Sequence, residues 1–303
     1  MISIVSPVYR AEKILPTLVA EIHRVMQKIA EPYEIILVDD RSPDNSWEVM
    51  KALSTESENL KVYRLSRNFG QHATITAGLT KAKGDWVVVM DCDMQDQPKE
   101  IEKFYNKVKE GYDVVLGQRV DRVDKNTKKL GSVLFYKVFN YLTEMDIDNQ
   151  VSNFGIYHKK VIKSILEVGD YVKAFSLFVR WVGFNKTEIP IEHSSRLEGK
   201  STYTFTKLLS SAFNIILSFS DKPLRMFIIG GGVISLLSLF VGSFYLLKYI
   251  FGTITEPGFT SLILSIWFLS GIIISCLGMV GLYVSKTFSQ VKGRPVFIID
   301  EEF

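Results

Sequence analysis

Four polar side chains crowd the end of one apolar run: Trp86-Val-Val-Val-Met90 leads straight into Asp91, Asp93, Gln95 and Asp96. A buried strand has no structural use for carboxylates at its C-terminal end, and in open α/β sheets that end is where ligands sit. Continued as an extended chain, the segment would put Asp91, Asp93 and Gln95 on one face and Cys92 and Met94 on the other. Oxygen ligands gathered in this way suit Mg²⁺ or Mn²⁺, ions that commonly hold a substrate's phosphates. The plainer reading is an acidic turn that caps the helix beginning near Pro98.

Three other segments carry polar residues just after apolar runs: Ser6-Pro-Val-Tyr-Arg-Ala-Glu12, Val38-Asp-Asp-Arg-Ser42 and Leu65-Ser-Arg-Asn-Phe-Gly70. If all four runs are parallel strands, these loops converge on one crevice. A nucleotide fits such a crevice, with Tyr9 as a stacking face, Asp39 as acceptor for a base N–H and a metal bridging the diphosphate. Neither Gly-x-Gly-x-x-Gly nor a Walker lysine motif is present, which argues against a dinucleotide enzyme or a P-loop NTPase.

The elements that would position these loops alternate. Short apolar runs at Ile2–Ser6, Glu34–Val38, Val62–Leu65, Trp86–Met90 and Val114–Leu116 are separated by helical periodicity at Ala11–Ala30, Ser46–Leu53, Gln71–Ala82 and Lys99–Glu110. That order predicts βαβ units and a mainly parallel sheet. After Gly117 come a basic segment, an amphipathic helix at Leu130–Leu142 and two further strands, Val151–His158 and Lys186–Glu192. Residues 202–224 read as an amphipathic juxtamembrane helix.

Met226–Phe251 contains a single charged residue, Lys248, and Phe259–Ser285 contains none. Each run exceeds the roughly 20 residues that cross a bilayer as a helix. Lys222 and Arg225 precede the first run, and Lys286, Lys292 and Arg294 follow the second, while the link between them carries only Glu256. The positive-inside rule then predicts a multi-pass protein of the cell (inner) membrane, with both termini and the large N-terminal domain cytoplasmic. Small residues along the spans permit close helix packing, either within the hairpin itself or between the subunits of a homo-oligomer. The expected organisation is a domain at 1–201, the juxtamembrane helix at 202–224, two spans within 225–285 and a cytoplasmic tail at 286–303. A formal charge of +3 and no recognisable motif argue against nucleic acid as partner, and two cysteines in different settings argue against a disulfide.

Pro7-Val-Tyr, Val38-Asp-Asp, Ser66-Arg-Asn-Phe-Gly70, Gly78, Asp91-Cys-Asp-Met-Gln-Asp, Arg119-Val-Asp-Arg122, Ser132, Phe135-Tyr136 and Ser195-Arg-Leu-Glu-Gly-Lys-Ser-Thr-Tyr203 occur in order along the chain. In that order they resemble glycosyltransferase family 2, and within it the dolichyl-phosphate mannose synthase-like polyprenyl-phosphate glycosyltransferases. The resemblance implies a GT-A fold, a UDP- or GDP-sugar donor, a divalent metal (Mg²⁺ or Mn²⁺) and a polyprenyl phosphate acceptor, probed first as undecaprenyl phosphate. It would make the chain an inverting hexosyl- or pentosyltransferase of cell-envelope glycan synthesis. It places Pro7, Tyr9, Glu12, Asp39 and Asp91 at the nucleotide and Asp91, Asp93 and Gln95 at the metal. Arg119, Arg122 and Arg196 would face phosphates, with Ser132 and Ser201 beside the acceptor phosphate; Asp91, Asp93 and the three arginines would form the catalytic set. Where many relatives have an Asp-Phe-Arg-like sequence, this chain has Ser152-Asn-Phe-Gly155. The competing expectations are a transferase with another lipid-linked or glycan acceptor, and a non-catalytic membrane-anchored sugar-nucleotide sensor.

Overall fold

The computed structural model describes residues 1–119, 138–143, 151–169, 175–192, 213, 216–217, 220–251 and 258–303. Arg122, Ser132, Arg196 and Ser201 lie outside these residues, as do most of the predicted juxtamembrane helix and of the helix at 130–142. The chain divides into two compact units, the first comprising Met1–Lys137, Met145–Thr202 and Arg294–Phe303, the second Val138–Glu144 and Tyr203–Gly293.

The first unit is built on one eight-stranded sheet. In chain order its elements are β1 (Ile2–Val8), α1 (Leu15–Ile29), β2 (Tyr33–Asp39), α2 (Ser46–Glu56), β3 (Leu60–Leu65), α3 (Gln71–Lys81), β4 (Trp86–Val89), α4 (Glu100–Val108) and β5 (Val114–Arg119). There follow β6 (Val151–His158), α5 (Lys159–Glu167), α6 (Phe175–Trp181), β7 (Lys186–Ile191) and, at the end of the chain, β8 (Ile299–Glu302). The spatial order is β7-β5-β6-β4-β1-β2-β3-β8. Strands β3, β2, β1 and β4 are parallel neighbours, as the alternation predicts. β6 is antiparallel to both β4 and β5, and β8 is antiparallel to β3.

Burial explains why the central runs are strands. Every residue of β1 is buried, and β2 is buried from Glu34 onward, as expected for strands covered by helices on both faces. Gly78 brings α3 down onto this sheet: a Cβ there would collide with the Val5 side chain and approach Val38 Cγ2 at 3.3 Å. At the N-terminal edge, the buried Glu34 carboxylate accepts from Ser3 Oγ (2.7 Å), Lys61 Nζ (2.7 Å) and the Lys83 N–H (2.7 Å). This polar cluster ties the starts of β1, β2 and β3 together at the edge away from the crevice.

The second unit contains α7 (Lys222–Ile250) and α8 (Phe259–Val291), which include stretches of 24 and 27 residues long and apolar enough to cross a membrane. No described residue of either stretch is buried within the protein. Tyr283 donates its hydroxyl to the Ser220 carbonyl (2.8 Å), fastening the end of α8 to the start of α7. The residues predicted as a tail do not stay a tail, because their last segment is β8 of the eight-stranded sheet.

Candidate active site

The acidic segment does not continue as a strand. β4 ends at Val89, a turn follows, and Met94 takes a left-handed backbone (φ 58°). The extended alternation expected for Asp91, Asp93 and Gln95 is therefore corrected: Gln95 folds back, and its N–H donates to Asp93 Oδ1 (3.1 Å). The helix-cap reading also fails, because α4 has Lys99 at its N-cap and no side-chain capping bond. Met94 and Cys92 pack toward the core beneath the turn. Burial pushes the Cys92 thiol up to about 12, so it is a protonated packing residue rather than a nucleophile.

Two cavities meet at this turn. The first, about 360 Å³, lies at the ends of β1, β2 and β4 and is lined by Pro7, Tyr9, Asp40, Gly70, Asp91 and Asp93, among others. The second, about 270 Å³, lies toward β5 and β6, where Arg119, Ser152, Asn153 and Arg180 join Gln71 and Asp91. Gln71 and Asp91 belong to both. They form the ridge between the cavities, with Gln71 Nε2 donating to Asp91 Oδ1 at 2.7 Å.

In the first cavity Tyr9 is 45% exposed, and the Arg10 guanidinium sits 5.5 Å from its ring centroid. Asp40 accepts the Phe69 N–H (2.7 Å) and the Gly70 N–H (2.9 Å), so it shapes the Ser66–Gly70 loop. Burial raises the Asp40 pKa, and these two N–H groups only partly offset it. Asp39 is fully buried beneath: Oδ1 accepts the Ser42 N–H (3.0 Å), and Oδ2 faces Arg64 Nε at 3.2 Å. Asp40, not Asp39, lines the cavity. Glu12 accepts the Asn45 N–H (3.0 Å), joining the β1–α1 loop to the start of α2.

In the second cavity Arg119 is fixed by a triangle. Its Nη2 donates to Asp96 Oδ2 (2.9 Å) and Ser152 Oγ (3.2 Å), while Ser152 donates to the same Asp96 oxygen (2.9 Å). Asp96 is buried, so it anchors the guanidinium from below and leaves it at the cavity wall. The Ser152-Asn-Phe-Gly155 departure thus has local structural meaning. Ser152 completes the triangle, Asn153 faces the cavity, and Gly155 is demanded by crowding, since a Cβ there would lie 2.5 Å from the Val115 carbonyl oxygen.

The carboxylates fit a divalent cation. Burial raises Asp91 to about 6, and the charges of Asp93 and Asp96 push it the same way, which a cation would relieve. Among the described residues no group of three or more His, Cys, Asp or Glu forms a closed metal cage. The fit is to an ion held by one or two carboxylates and a ligand's phosphate oxygens, as Mg²⁺ often is.

Of the predicted site residues, Pro7, Tyr9, Asp91, Asp93 and Arg119 line the cavities; Asp39 and Glu12 support the loops behind them. Gln71, Asp40, Asn153 and Arg180 are additions the sequence reading missed. Gln71 had a signal, since it opens α3 directly after the Asn-Phe-Gly70 loop.

A doubly wound sheet with a nucleotide-sized cavity and a carboxylate turn at the C-terminal ends of its parallel strands defines a GT-A-type glycosyltransferase. Residues 3–166 match the model of glycosyl transferase family 2, and the chain belongs to that family. It is similar to an uncharacterized glycosyltransferase of Synechocystis sp. (33% identity over 99% of this chain and 95% of the relative). It is also similar to the undecaprenyl-phosphate 4-deoxy-4-formamido-L-arabinose transferase of Shewanella sediminis (32% identity over 99% and 92%). Among solved structures, the fold matches mannosyl-3-phosphoglycerate synthase from Rubrobacter xylanophilus (TM-score 0.51, 15% identity, 75% of this chain and 74% of that one). It also matches glucosyl-3-phosphoglycerate synthase from Mycobacterium tuberculosis in complex with Mn²⁺, UDP-glucose and phosphoglyceric acid (TM-score 0.52, 14% identity, 72% and 78%).

Proposed function

We propose that this chain transfers a sugar from a nucleotide-diphosphate sugar to a polyprenyl phosphate, with inversion, at the cytoplasmic face of the membrane. The observation that carries the reading is the pair of cavities sharing Gln71 and Asp91, one shaped for a nucleotide and the other walled by an anchored arginine. Full-length similarity to the undecaprenyl-phosphate transferase and the two membrane-length helices support a lipid acceptor.

In this reading Tyr9 and Pro7 hold the nucleoside against the loop built on Asp39 and Asp40. Asp91 and Asp93 would hold Mg²⁺ or Mn²⁺, which when bound would neutralise the diphosphate and stabilise its departure; Gln95, expected as a third ligand, lines neither cavity and braces the turn through Asp93. Gln71 fixes the Asp91 carboxylate at the ridge, where diphosphate and sugar would meet. Arg119, kept in place by Asp96 and Ser152, attracts the acceptor phosphate and offsets its repulsion from the donor. The family resemblance would assign Arg122, Arg196, Ser132 and Ser201, which lie outside the described residues, to the acceptor phosphate as well.

A lipid monophosphate has a second pKa of about 6 and is largely dianionic near neutrality. Its oxygen can attack the anomeric carbon without a protein base. The bond to the diphosphate breaks as the bond to the acceptor phosphate forms, and the nucleotide diphosphate leaves with the electron pair. This accounts for a wall at Ser152–Asn153 that offers no carboxylate to act as general base.

The test is incubation of the purified full-length protein with a panel of UDP- and GDP-sugars, undecaprenyl phosphate and Mn²⁺ or Mg²⁺. Metal-dependent formation of one polyprenyl-phosphate sugar is expected. No turnover with any donor would sink the reading and favour the sensor.

A further inference from the structure

We infer that β8, the last strand of the chain, is a working part of the donor-nucleotide site, positioning the Asp39–Ser42 loop through Arg41 and Arg64. The inference rests on the nucleotide reading of the first cavity. β8 pairs with β3 so that Glu301 stands opposite Arg64 and Glu302 opposite Tyr63. The pairing is extended by Phe303 N–H to the Val62 carbonyl (3.0 Å) and Ser66 N–H to the Ile298 carbonyl (2.9 Å).

Two acidic side chains of β8 reach the loop. Asp300 Oδ2 accepts from Arg41 Nη1 at 2.7 Å, and Arg41 holds a left-handed backbone (φ 55°) unusual for a bulky residue. Glu301 Oε1 accepts from Arg64 Nη1 at 3.2 Å, while its Oε2 accepts from Trp47 Nε1 at 3.2 Å. The Arg64 guanidinium is thereby held over the Trp47 ring, 5.7 Å from its centroid, with Nε 3.2 Å from the buried Asp39 Oδ2 as an ion pair without hydrogen-bond geometry.

From Asp39 the order passes to the cavity. Asp39 takes the Ser42 N–H, and Ser42 Oγ takes the Arg10 N–H (3.1 Å), next to the exposed Tyr9. Asp40, the next residue, takes the Phe69 and Gly70 N–H groups. Breaking a buried ion pair by removing one partner is strongly destabilising. What holds Arg64 therefore holds the floor of the nucleotide cavity. The exposed Arg41–Asp300 pair would contribute little alone; it acts by pinning a loop already tied to Arg64.

The chain order gives this arrangement its consequence. β8 follows α8, so the cavity floor is completed only by residues beyond the membrane hairpin. Full donor affinity then depends on the chain returning, after its two membrane-length helices, to the side on which β3 lies.

The test uses the full-length protein in detergent, comparing wild type, D300N/E301Q and E302Q. Glu302 is the internal control, since on the same strand it pairs with Lys81 of α3 (2.9 Å) and not with the loop. UDP and GDP, each with Mn²⁺, are titrated calorimetrically, and amide hydrogen exchange is followed at Ser42, Phe69 and Gly70. D300N/E301Q is expected to weaken binding of the preferred nucleotide roughly tenfold. It should also raise donor KM with kcat nearly unchanged and accelerate exchange at the three amides, while E302Q matches wild type. Unchanged affinity and exchange in D300N/E301Q, or an equal loss in E302Q, would overturn the inference. If wild type bound neither nucleotide, the donor reading would fail, and exchange would still decide whether β8 orders the loop.

Discussion

Gln71 donates a 2.7 Å hydrogen bond to Asp91, and these two residues form the ridge between the two cavities of the site. The contact joins the first residue of α3 to the turn after β4. It fixes one carboxylate at the point where donor diphosphate and sugar would meet.

Gln71→Ala removes that bond and leaves the space. At this exposed ridge the contact contributes about 0.5–1.5 kcal/mol, so kcat/KM should fall about two- to tenfold if it positions Asp91 for the donor. Steady-state kinetics with donor varied would show the loss in kcat/KM, with the thermal midpoint little changed because Gln71 is exposed.

Asp93→Asn keeps the shape of the turn and removes a charge. It should lower activity by about 10²–10³-fold, the scale of losing one electrostatic stabiliser. Circular dichroism should match wild type. Substantial retained turnover would remove Asp93 from the metal role.

Ser152→Ala breaks the triangle with Asp96 and Arg119 without touching either charge. Loss of this buried hydroxyl should cost about 1–2 kcal/mol of stability. KM for polyprenyl phosphate should rise more than KM for the donor, because Arg119 loses one of its two anchors. Arg119→Lys should be more damaging for the acceptor, since an ammonium cannot reproduce the planar fork. Equal effects on the two KM values would argue against an acceptor role.

Acid should weaken the sheet through Glu34. Burial by itself raises its pKa, but the bonds from Lys61, Ser3 and the Lys83 N–H outweigh this and hold it below the ordinary value. An unfolded glutamate titrates near about 4.3. The Glu34 contribution is thus fully present above that value and lost as pH falls through the lower folded-state value. Denaturant unfolding from pH 7 to pH 3 should show a decline that is shallower in Glu34→Gln, whose stability is already reduced at pH 7.

Much of the site was legible because its signals are local. Apolar runs that end in Pro7-Val-Tyr, Asp39-Asp and Asp91-Cys-Asp read as parallel strands with loops at one edge, and the two long, nearly uncharged runs read as membrane-length helices. Periodicity and loop composition report such features over a few residues at a time. The turn at Met94 was not legible, because a left-handed methionine follows from packing beneath the turn and not from any preference of its own.

The tertiary structure decided which distant residues meet. Asp96, Arg119 and Ser152 are dispersed in sequence and converge because β6 runs antiparallel between β4 and β5. Nothing in the local pattern of β6 specifies that insertion. β8 is the clearest case: Ile-Asp-Glu-Glu has weak strand propensity and reads as a solvated tail. It becomes a strand because Arg41, Arg64, Trp47 and Lys81 are already arranged along the β3 edge to receive its carboxylates. The sequence by itself set the strand-end chemistry and the two membrane-length helices; the fold decided that the chain's last residues return to the sheet beside the first cavity.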